Sequence, residues 1–397
     1  MSQPKTRATG RHFLQIPGPT NCPLPVLAAV AMPTIDHRGP EFGRLALGVL
    51  SEIRTIFKTK HPVIIFPGSG TGAWEAAIAN TLSPGDKVLM YETGQFAALW
   101  QKLAAKFGID TEFLPGDWRT GADIAAIEAR LAADKSHTIT AVCVVLNETS
   151  TGAVTNIPAV RKAMNSAHHP ALLMVDGVSS VGSMDYRHDE WGVDVAVCGS
   201  QKGLMLPPGL GFNAISDKAL AAAKTAKLPR AYWDWNDMLA INAKGFFPST
   251  PNTNLLQGLK VAIEMLHEEG LDNVFARHER AAEATRRAVR HWGLDIQCRI
   301  PAECSSTVTG VRTPDGFNPD VVRAEILERS NVSLGSGLGK VADKVFRIGH
   351  VGDFNDTSVL GTIAAVEMGL AVVGVPHKAG GVDAAMAHLR GNLGAKG

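Results

Sequence analysis

The chain has 397 residues, of which 45% are hydrophobic and 19% charged, so it can bury a core large enough for two domains and is not intrinsically disordered. Its 39 basic and 38 acidic residues leave a formal net charge of +1, which argues against nucleic acid or an anionic membrane as a partner. An anionic ligand must therefore be held by local groups.

Cysteine usage and the placement of apolar residues indicate the compartment. No two of the five cysteines form a Cys-x-x-Cys pair, which predicts neither a disulfide framework nor a zinc site and is typical of a reducing environment. The basic N-terminus is not followed by an apolar stretch, so we expect no secretory signal. The most apolar candidate for a membrane span, at residues 369–375, is too short. We therefore expect a cytoplasmic protein with no bound metal.

Short apolar runs alternate with helical periodicity between residue 63 and about residue 216. Runs that are apolar on successive residues, as in strands covered on both faces, predict strands at residues 63–66, 87–91, 140–146, 172–175, 193–198 and 210–215. Alanine-rich segments between them predict helices at residues 73–82, 96–107, 122–133 and 157–167. This alternation predicts an α/β fold with a mainly parallel central sheet and helices on both faces.

The pattern changes after residue 255. Two long helical stretches, at residues 255–269 and 274–292, are followed by shorter predicted strands at residues 306–312 and 344–348. We therefore expect three parts, which are an N-terminal segment (1–22), a large domain (23–293) and a small α+β C-terminal domain (294–397).

Two polar residues follow neighbouring predicted strands. Asp176 comes directly after the strand at 172–175, and Lys202 follows the next strand in the turn Gly-Ser-Gln-Lys-Gly. Alone, the first would be typical of a capping aspartate and the second of a solvated loop lysine. Together they can reach the same sheet edge, where open α/β sheets bind ligands. Pyridoxal phosphate needs such a pair, because an amine must bind its aldehyde and a carboxylate must keep its ring nitrogen protonated. Lys202 is also the natural base for the substrate Cα proton, provided that its amine is partly neutral.

A glycine-rich turn, Gly68-Ser69-Gly70-Thr71-Gly72, lies between a predicted strand and a predicted helix. Small residues let backbone N–H groups close on a phosphate, and the helix N-terminus favours negative charge. The same segment also matches a dinucleotide fingerprint, with Glu92 as the ribose-binding acid. The turn alone leaves both interpretations open, whereas Lys202 with Asp176 favours pyridoxal phosphate.

Several motifs then occur in a characteristic order. They are Pro-Gly-Pro-Thr-Asn at residues 17–21, the glycine-rich turn, Glu-Thr-Ser-Thr-Gly at 148–152, Val-Asp at 175–176, Gly-Ser-Gln-Lys at 199–202 and Phe-Arg-Ile-Gly at 346–349. From about residue 17 to about residue 368, the chain resembles the class V aminotransferases of pyridoxal-phosphate fold type I. Within them it is most similar to the serine–glyoxylate and alanine–glyoxylate aminotransferases.

This resemblance implies a role for each residue that matches a family motif. Lys202 would carry the cofactor covalently, Asp176 would contact its ring nitrogen and Val178 would pack on the ring. Phe96 stands where relatives stack an aromatic residue, often tryptophan, on the ring. The matched phosphate-binding positions are Ser69, Gly70, Thr71 and Gln201.

The resemblance also implies how substrate and a second subunit are bound. Arg347 would grip the substrate carboxylate, for which a planar guanidinium is well suited. Thr149, with Ser150 as the alternative, would reach the ring hydroxyl. Thr250 would reach the phosphate in the neighbouring subunit's site, which implies a homodimer or a higher homo-oligomer. The segment with His37 and Arg38 is open between lining the substrate entrance and forming a turn or interface.

The implied reaction moves an amino group from a small amino acid to glyoxylate, giving glycine and a 2-oxo acid. Serine, which would yield hydroxypyruvate, is the expected donor, with alanine or aspartate as alternatives. A cysteine desulfurase or lyase of the same fold is disfavoured, because the loop at residues 333–339 contains no cysteine. A nucleotide-binding dehydrogenase is the alternative from another class.

Overall fold

The structure of the chain is a computed structural model that describes residues 10–391. Residues 1–9, which begin the predicted N-terminal segment, and residues 392–397 lie outside this description.

Within residues 10–391 the chain forms thirteen α-helices and fourteen strands. The helices are α1 (Leu24–Val30), α2 (Pro40–Phe57), α3 (Gly70–Thr81), α4 (Gln95–Lys106), α5 (Ile124–Ala133), α6 (Ile157–Ser166), α7 (Asp217–Ala223), α8 (Trp235–Asn242), α9 (Thr253–Glu269), α10 (Leu271–Trp292), α11 (Pro319–Ser330), α12 (Asp356–Val373) and α13 (Gly381–Gly391). The strands are β1 (Phe13–Gln15), β2 (Val63–Gly68), β3 (Lys87–Tyr91), β4 (Asp110–Leu114), β5 (Ile139–Val145), β6 (Asn147–Glu148), β7 (Ala153–Val154), β8 (Leu172–Asp176), β9 (Val195–Gly199), β10 (Gly209–Ile215), β11 (Asp295–Ile296), β12 (Val308–Arg312), β13 (Val332–Ser336) and β14 (Val345–Gly349).

The main sheet has seven strands in the order β2-β10-β9-β8-β5-β3-β4. Every neighbouring pair is parallel except those of β10, which runs antiparallel to both β2 and β9. The predicted mainly parallel sheet is therefore confirmed. Each predicted strand from residue 63 to residue 215 is present, with boundaries that differ by at most two residues. The edge strand β4 was not predicted, because its half-exposed residues, such as Asp110 and Glu112, are not a continuous apolar run.

A second sheet has the order β1-β13-β14-β12-β11, in which only the pair β1–β13 is parallel. It contains the two strands predicted near the C-terminus and three short ones that were not predicted. Strand β1 belongs to the predicted N-terminal segment, so that segment pairs with the sheet of the predicted small domain. Helix α10 spans two apolar clusters, because Val274 belongs to the first and Ala281 to the second. The domain boundary at residue 294 stays a prediction.

Helix α12 corrects one sequence-based expectation. By length and composition alone it could cross a bilayer, whereas we expected no segment of that kind. Its residues Val359, Ile363, Val366 and Leu370 are buried in the second apolar cluster. This one-sided burial is how a core helix packs in a globular domain.

Central strand β8 should be sensitive to loss of side-chain volume. Leu173 is fully buried in β8, so Leu173→Ala should cost about 2–5 kcal/mol of stability by leaving a cavity. Leu327→Ala, on the exposed side of α11 (46% exposed), is the matched control and should cost less than about 0.5 kcal/mol. Thermal unfolding followed by circular dichroism measures both. Equal shifts in Tm would contradict this description of the core.

Candidate active site

Three strand ends meet at one edge of the main sheet. Asp176 is the last residue of β8, Gly199 ends β9 two residues before Gln201, and Gly68 ends β2. Strands β2, β8 and β9 run in the same direction, so their carboxyl ends share an edge. They surround a cavity of about 230 Å³, which we call the site cavity. It lies where open α/β sheets bind ligands.

The site cavity brings together most of the residues that the sequence singled out. Nine predicted residues line it, namely Ser69, Gly70, Thr71, Phe96, Thr149, Asp176, Val178, Gln201 and Lys202. Two predicted residues do not line it. Arg347 lies in β14, behind the carbonyl of Thr149, and Thr250 is exposed in the loop before α9.

Lys202 is held in a buried and crowded environment. Its side chain is buried, Nζ donates a hydrogen bond to the carbonyl oxygen of Pro17, and Gly18 lies against its methylene groups. Gly18 has a φ of +104° and no room for a Cβ atom on that side. Burial, and then the positive charge of Arg347, lower the pKa of Lys202 to about 8. A substantial fraction of the amine is therefore neutral at physiological pH.

Asp176 is the second buried titratable group in the site cavity. Its carboxylate accepts the backbone N–H of Val178 at 2.8 Å. Burial, partly offset by that N–H, raises the pKa of Asp176 to about 7, and the negative charge of Glu148 adds to the rise. Among the described residues, Asp176 makes no ion pair, not even with Lys202 across the cavity. A cationic N–H placed between them would stabilise the ionised carboxylate.

The glycine-rich turn forms the start of helix α3. Ser69 is the N-cap residue, and its Oγ accepts the N–H of Gly72 at 3.3 Å, which leaves its O–H free to donate. A Cβ atom at Gly70 would come within 2.7 Å of Val178 Cγ2, so only glycine fits there. Beside the turn, Gln201 Oε1 is buried without a hydrogen-bond partner. Such an unpartnered amide at a helix N-terminus suits a phosphate group, toward which it can turn its NH₂.

The structure distinguishes Thr149 from Ser150. Thr149 lines the site cavity, where its Oγ1 makes a short hydrogen bond with Ser179 Oγ. Ser150 is turned away, because its Oγ donates to Glu148 at 2.6 Å and accepts the N–H of Gln95 at 2.9 Å. Of the two, Thr149 is therefore the residue placed to reach a ligand.

Glu148 lies within the Glu-Thr-Ser-Thr-Gly motif, and its structural role is not evident from the sequence. This carboxylate is fully buried and accepts hydrogen bonds from Ser150, from the N–H of Phe96 at 3.3 Å and from the N–H of Ala97 at 3.1 Å. Burial raises its pKa, which those donors oppose. It thus satisfies N–H groups at the start of α4 and fixes the helix that carries Phe96. Gly94, just before α4, has no room for a side chain against Glu148.

Four further cavity residues were not singled out from the sequence, namely Trp74, Asn147, Ser179 and Pro208. Asn147 Oδ1 is buried without a hydrogen-bond partner, whereas the Trp74 side chain is placed to donate to the Asp176 carboxylate, whose pKa it lowers. Trp74 stacks on Trp100 with a centroid distance of 5.8 Å. Asn147 directly precedes the Glu-Thr-Ser-Thr-Gly motif, a signal that could have identified it. Unpartnered polar atoms are unusual in protein interiors and mark places where a ligand can supply the missing partner.

Arg347 is anchored by two backbone carbonyl groups. Its Nε donates to Ser336 at 2.7 Å, and Nη1 donates to the carbonyl of Thr149 at 2.9 Å. Burial lowers the pKa of Arg347 to about 10, so it remains charged at neutral pH. No hydrogen bond joins Nη2 to another residue in the range 10–391, so this nitrogen can receive a carboxylate.

The remaining sequence candidates lie elsewhere. Arg38 donates its N–H to Asp36 Oδ1 at 2.9 Å in a turn before α2, and neither His37 nor Arg38 lines the site cavity. Glu92, the candidate ribose acid, binds Trp118 and Lys340 instead of facing the cavity. The dinucleotide interpretation therefore lacks its acidic residue. The described residues contain no cluster of three metal-ligating side chains.

The chemical groups in the cavity fit pyridoxal phosphate. A partly neutral amine, a carboxylate without an ion pair, and an open helix N-terminus with an unpartnered amide lie around one space. The amine matches the aldehyde of that cofactor, the carboxylate matches its ring nitrogen, and the helix N-terminus with the amide matches its phosphate.

Comparisons with known proteins match nearly the whole chain to one family. The family model described as aminotransferase class-V matches residues 24–348. The chain is 48% identical over 394 residues to a serine–glyoxylate aminotransferase from Methylorubrum extorquens, and the match covers 98% of each of the two chains. It is 47% identical over 384 residues to an L-aspartate–glyoxylate aminotransferase from Paracoccus denitrificans, covering 96% of this chain and 97% of the relative. Among solved structures, a pyridoxamine–pyruvate aminotransferase from Mesorhizobium loti superposes with a TM-score of 0.91 at 28% identity, covering 98% of this chain and all of that one.

The environment of Lys202 predicts how its amine titrates in the cofactor-free protein. Its pKa should lie near 8 and should rise toward the ordinary lysine value in Arg347→Gln, because the neighbouring positive charge is removed. Arg390→Gln, which removes an exposed charge from α13, is the control and should leave this pKa unchanged. NMR of isotopically methylated lysines measures the titration. A pKa of Lys202 at the ordinary value in the unmodified sequence would contradict the described burial.

Proposed function

Because the chain belongs to the class-V aminotransferase family and is an aminotransferase, we propose that it uses pyridoxal 5'-phosphate to transfer an amino group from serine to glyoxylate. The products are glycine and hydroxypyruvate. The observation that carries the proposal is the pair Lys202 and Asp176, both buried and both facing one cavity without forming an ion pair.

In this proposal the cofactor is held by groups from several elements. Lys202 carries it covalently, Asp176 pairs with its ring nitrogen, and Phe96 and Val178 contact its ring. Thr149 reaches the ring hydroxyl, and the turn with Ser69, Gly70 and Thr71 binds the phosphate together with Gln201. When bound, pyridoxal phosphate supplies an electron sink that weakens the substrate Cα–H bond.

Lys202 also moves the proton. Once an incoming substrate amine has displaced it from the cofactor, the free Nζ would accept the proton from the substrate Cα in its neutral form and would donate that proton onward in its protonated form. A pKa of about 8 allows both forms near neutral pH. Burial excludes water that would otherwise compete for this proton.

Serine is preferred over aspartate for a physical reason. A donor α-carboxylate is bound by Arg347, whose Nη2 has no partner among the described residues. A second carboxylate, as in aspartate, would need a second cation besides Arg347, which lies behind the site cavity, and among the described residues no basic side chain other than Lys202 lines that cavity. The serine–glyoxylate and aspartate–glyoxylate relatives support the shared acceptor equally. Alanine and aspartate stay alternatives for the donor.

A spectroscopic donor panel tests the proposal. The purified protein should be yellow from cofactor bound to Lys202, and serine should remove the visible band, which glyoxylate then restores. The kcat/KM for serine should exceed that for alanine and for aspartate. Persistence of the band with all three donors would reject a transaminase. Sulfide released from cysteine would support a desulfurase, and saturable nicotinamide binding would support a dehydrogenase.

We propose a homodimer or higher homo-oligomer in which Thr250 reaches the neighbouring subunit's phosphate. The proposal rests on the family resemblance and on Thr250 being exposed outside its own site cavity. Thr250→Val should weaken cofactor binding while sedimentation still reports an oligomer, since only one hydroxyl is removed. Thr225→Val, another exposed threonine, is the control. A monomeric holoenzyme, or unchanged cofactor affinity in Thr250→Val, would contradict this role.

We also propose a cytoplasmic location, which is supported by five cysteines that are all free thiols. Cell fractionation checks this proposal, because the protein should co-fractionate with cytosolic markers and not with membranes.

A further inference from the structure

Glu92 does not line the site cavity but contacts Trp118 and Lys340. It follows strand β3, and its Oε1 accepts a hydrogen bond from Trp118 Nε1 at 3.0 Å. The same oxygen forms an ion pair with Lys340 Nζ at a distance of 2.5 Å. The Glu92 side chain is only 14% exposed, whereas that of Lys340 is 62% exposed. The mostly buried carboxylate of Glu92, which follows a strand of the main sheet, thus binds Lys340 from a loop of the second sheet.

That lysine belongs to the connection between β13 and β14. Next to it, Val341 and Val345 form a separate small apolar cluster with Trp118. The Lys340 ammonium lies 5.5 Å from the centre of the Trp118 ring. Gly339, with a φ of +53°, packs so closely that a Cβ atom would come within 2.8 Å of that ring. The connection is therefore fixed on Trp118 by charge, by apolar contact and by a glycine that permits close approach.

Trp118 is itself held in a fixed position. It is 3% exposed and has a φ of +64°, a left-handed conformation that is costly for a bulky residue. Its carbonyl accepts Gln297 Nε2 at 2.6 Å, which helps to hold this backbone. A rigid tryptophan can fix the loop that packs on it.

Both ends of the connection between β13 and β14 lie close to Arg347. At its start, the carbonyl of Ser336 accepts Arg347 Nε, and at its end Val345 lies two residues before Arg347 in β14. Gly339 also abuts Gln95, the residue before Phe96 of the site cavity. A shift of the connection would therefore displace the carbonyl that orients the guanidinium.

We propose that Glu92, Trp118 and Lys340 form a latch that positions Arg347 for the substrate carboxylate. The inference rests on the proposed function, in which Arg347 binds that carboxylate. Glu92 and Lys340 are positioning residues, because neither lines the site cavity. The ion pair is partly exposed, so its contribution is modest, and the latch tunes substrate affinity without being required for folding.

The experiment compares Lys340→Met, Glu92→Gln and their double variant as holoenzymes. Lys340→Met keeps the apolar stem, and Glu92→Gln keeps an oxygen that can still accept the Trp118 N–H. Lys344→Met, an exposed lysine in the same connection with no side-chain partner among the described residues, is the matched control. Arg347→Gln is the reference for complete loss of the carboxylate anchor.

Two readouts are independent of turnover. The first is the calorimetric Kd of glycolate, an unreactive analogue of glyoxylate, which should rise roughly two- to five-fold in either single variant, the size expected for a partly exposed pair. The Kd of glycolate in the double variant should be no higher than in the single variants, because both substitutions break the same interaction. The second is hydrogen–deuterium exchange of residues 337–341, which should become faster. Cofactor absorbance and Tm should match those of Lys344→Met.

The outcomes separate the latch from the proposed function. Unchanged exchange in residues 337–341 would overturn the latch, and faster exchange with unchanged glycolate affinity would overturn its effect on Arg347. Additive losses in the double variant would overturn the direct pairing of Glu92 with Lys340. For a transaminase, KM should rise while kcat stays within about two-fold, which is the signature of lost uniform binding. Absence of turnover in the unmodified enzyme with every donor would reject the proposed function, while exchange and glycolate binding would still decide the latch.

Discussion

Burial of an amine and a carboxylate at the same sheet edge is the constraint on which the rest of the site depends. Desolvation moves the pKa of Lys202 down to about 8 and that of Asp176 up to about 7, so both charged forms are disfavoured. The two side chains face each other across a cavity and make no ion pair, which leaves both groups available to a ligand. A bound group that neutralises the amine and offers a cationic N–H to the carboxylate relieves both costs at once.

This arrangement depends on a residue that does not line the site cavity. Glu148, a second buried carboxylate, satisfies N–H groups at the start of α4 and so fixes Phe96. It also raises the pKa of Asp176 and opposes the lowering of the pKa of Lys202. The short hairpin formed by β6 and β7 therefore links helix α4 to the electrostatics of the cavity. Arg347 is held on the same hairpin through the carbonyl of Thr149, which joins carboxylate binding to the cofactor end of the site.

The sequence was informative where local pattern and tertiary environment agree. Strand β8 is apolar up to its last residue, Asp176, and β9 is apolar up to Gly199, three residues before Lys202, so both strands and both residues could be found. Strand β4 is a half-exposed edge strand and β1 has three residues, so neither gave a clear period. The roles of Glu148 and Glu92 depend on partners far away in the chain, which periodicity and local motifs do not encode. Thr149 and Ser150 are adjacent in sequence, and only their side-chain directions distinguish them.

The central claim is that the amine of Lys202 carries pyridoxal phosphate, and chemical trapping tests it most directly. Borohydride reduction of the purified holoenzyme, followed by proteolysis and tandem mass spectrometry, locates the residue that carries the cofactor. The account predicts a pyridoxyl group on the peptide that contains Lys202, and none on the same peptide from Lys202→Arg. A modified lysine elsewhere in the chain, or no modified lysine in protein that contains the cofactor, would contradict it.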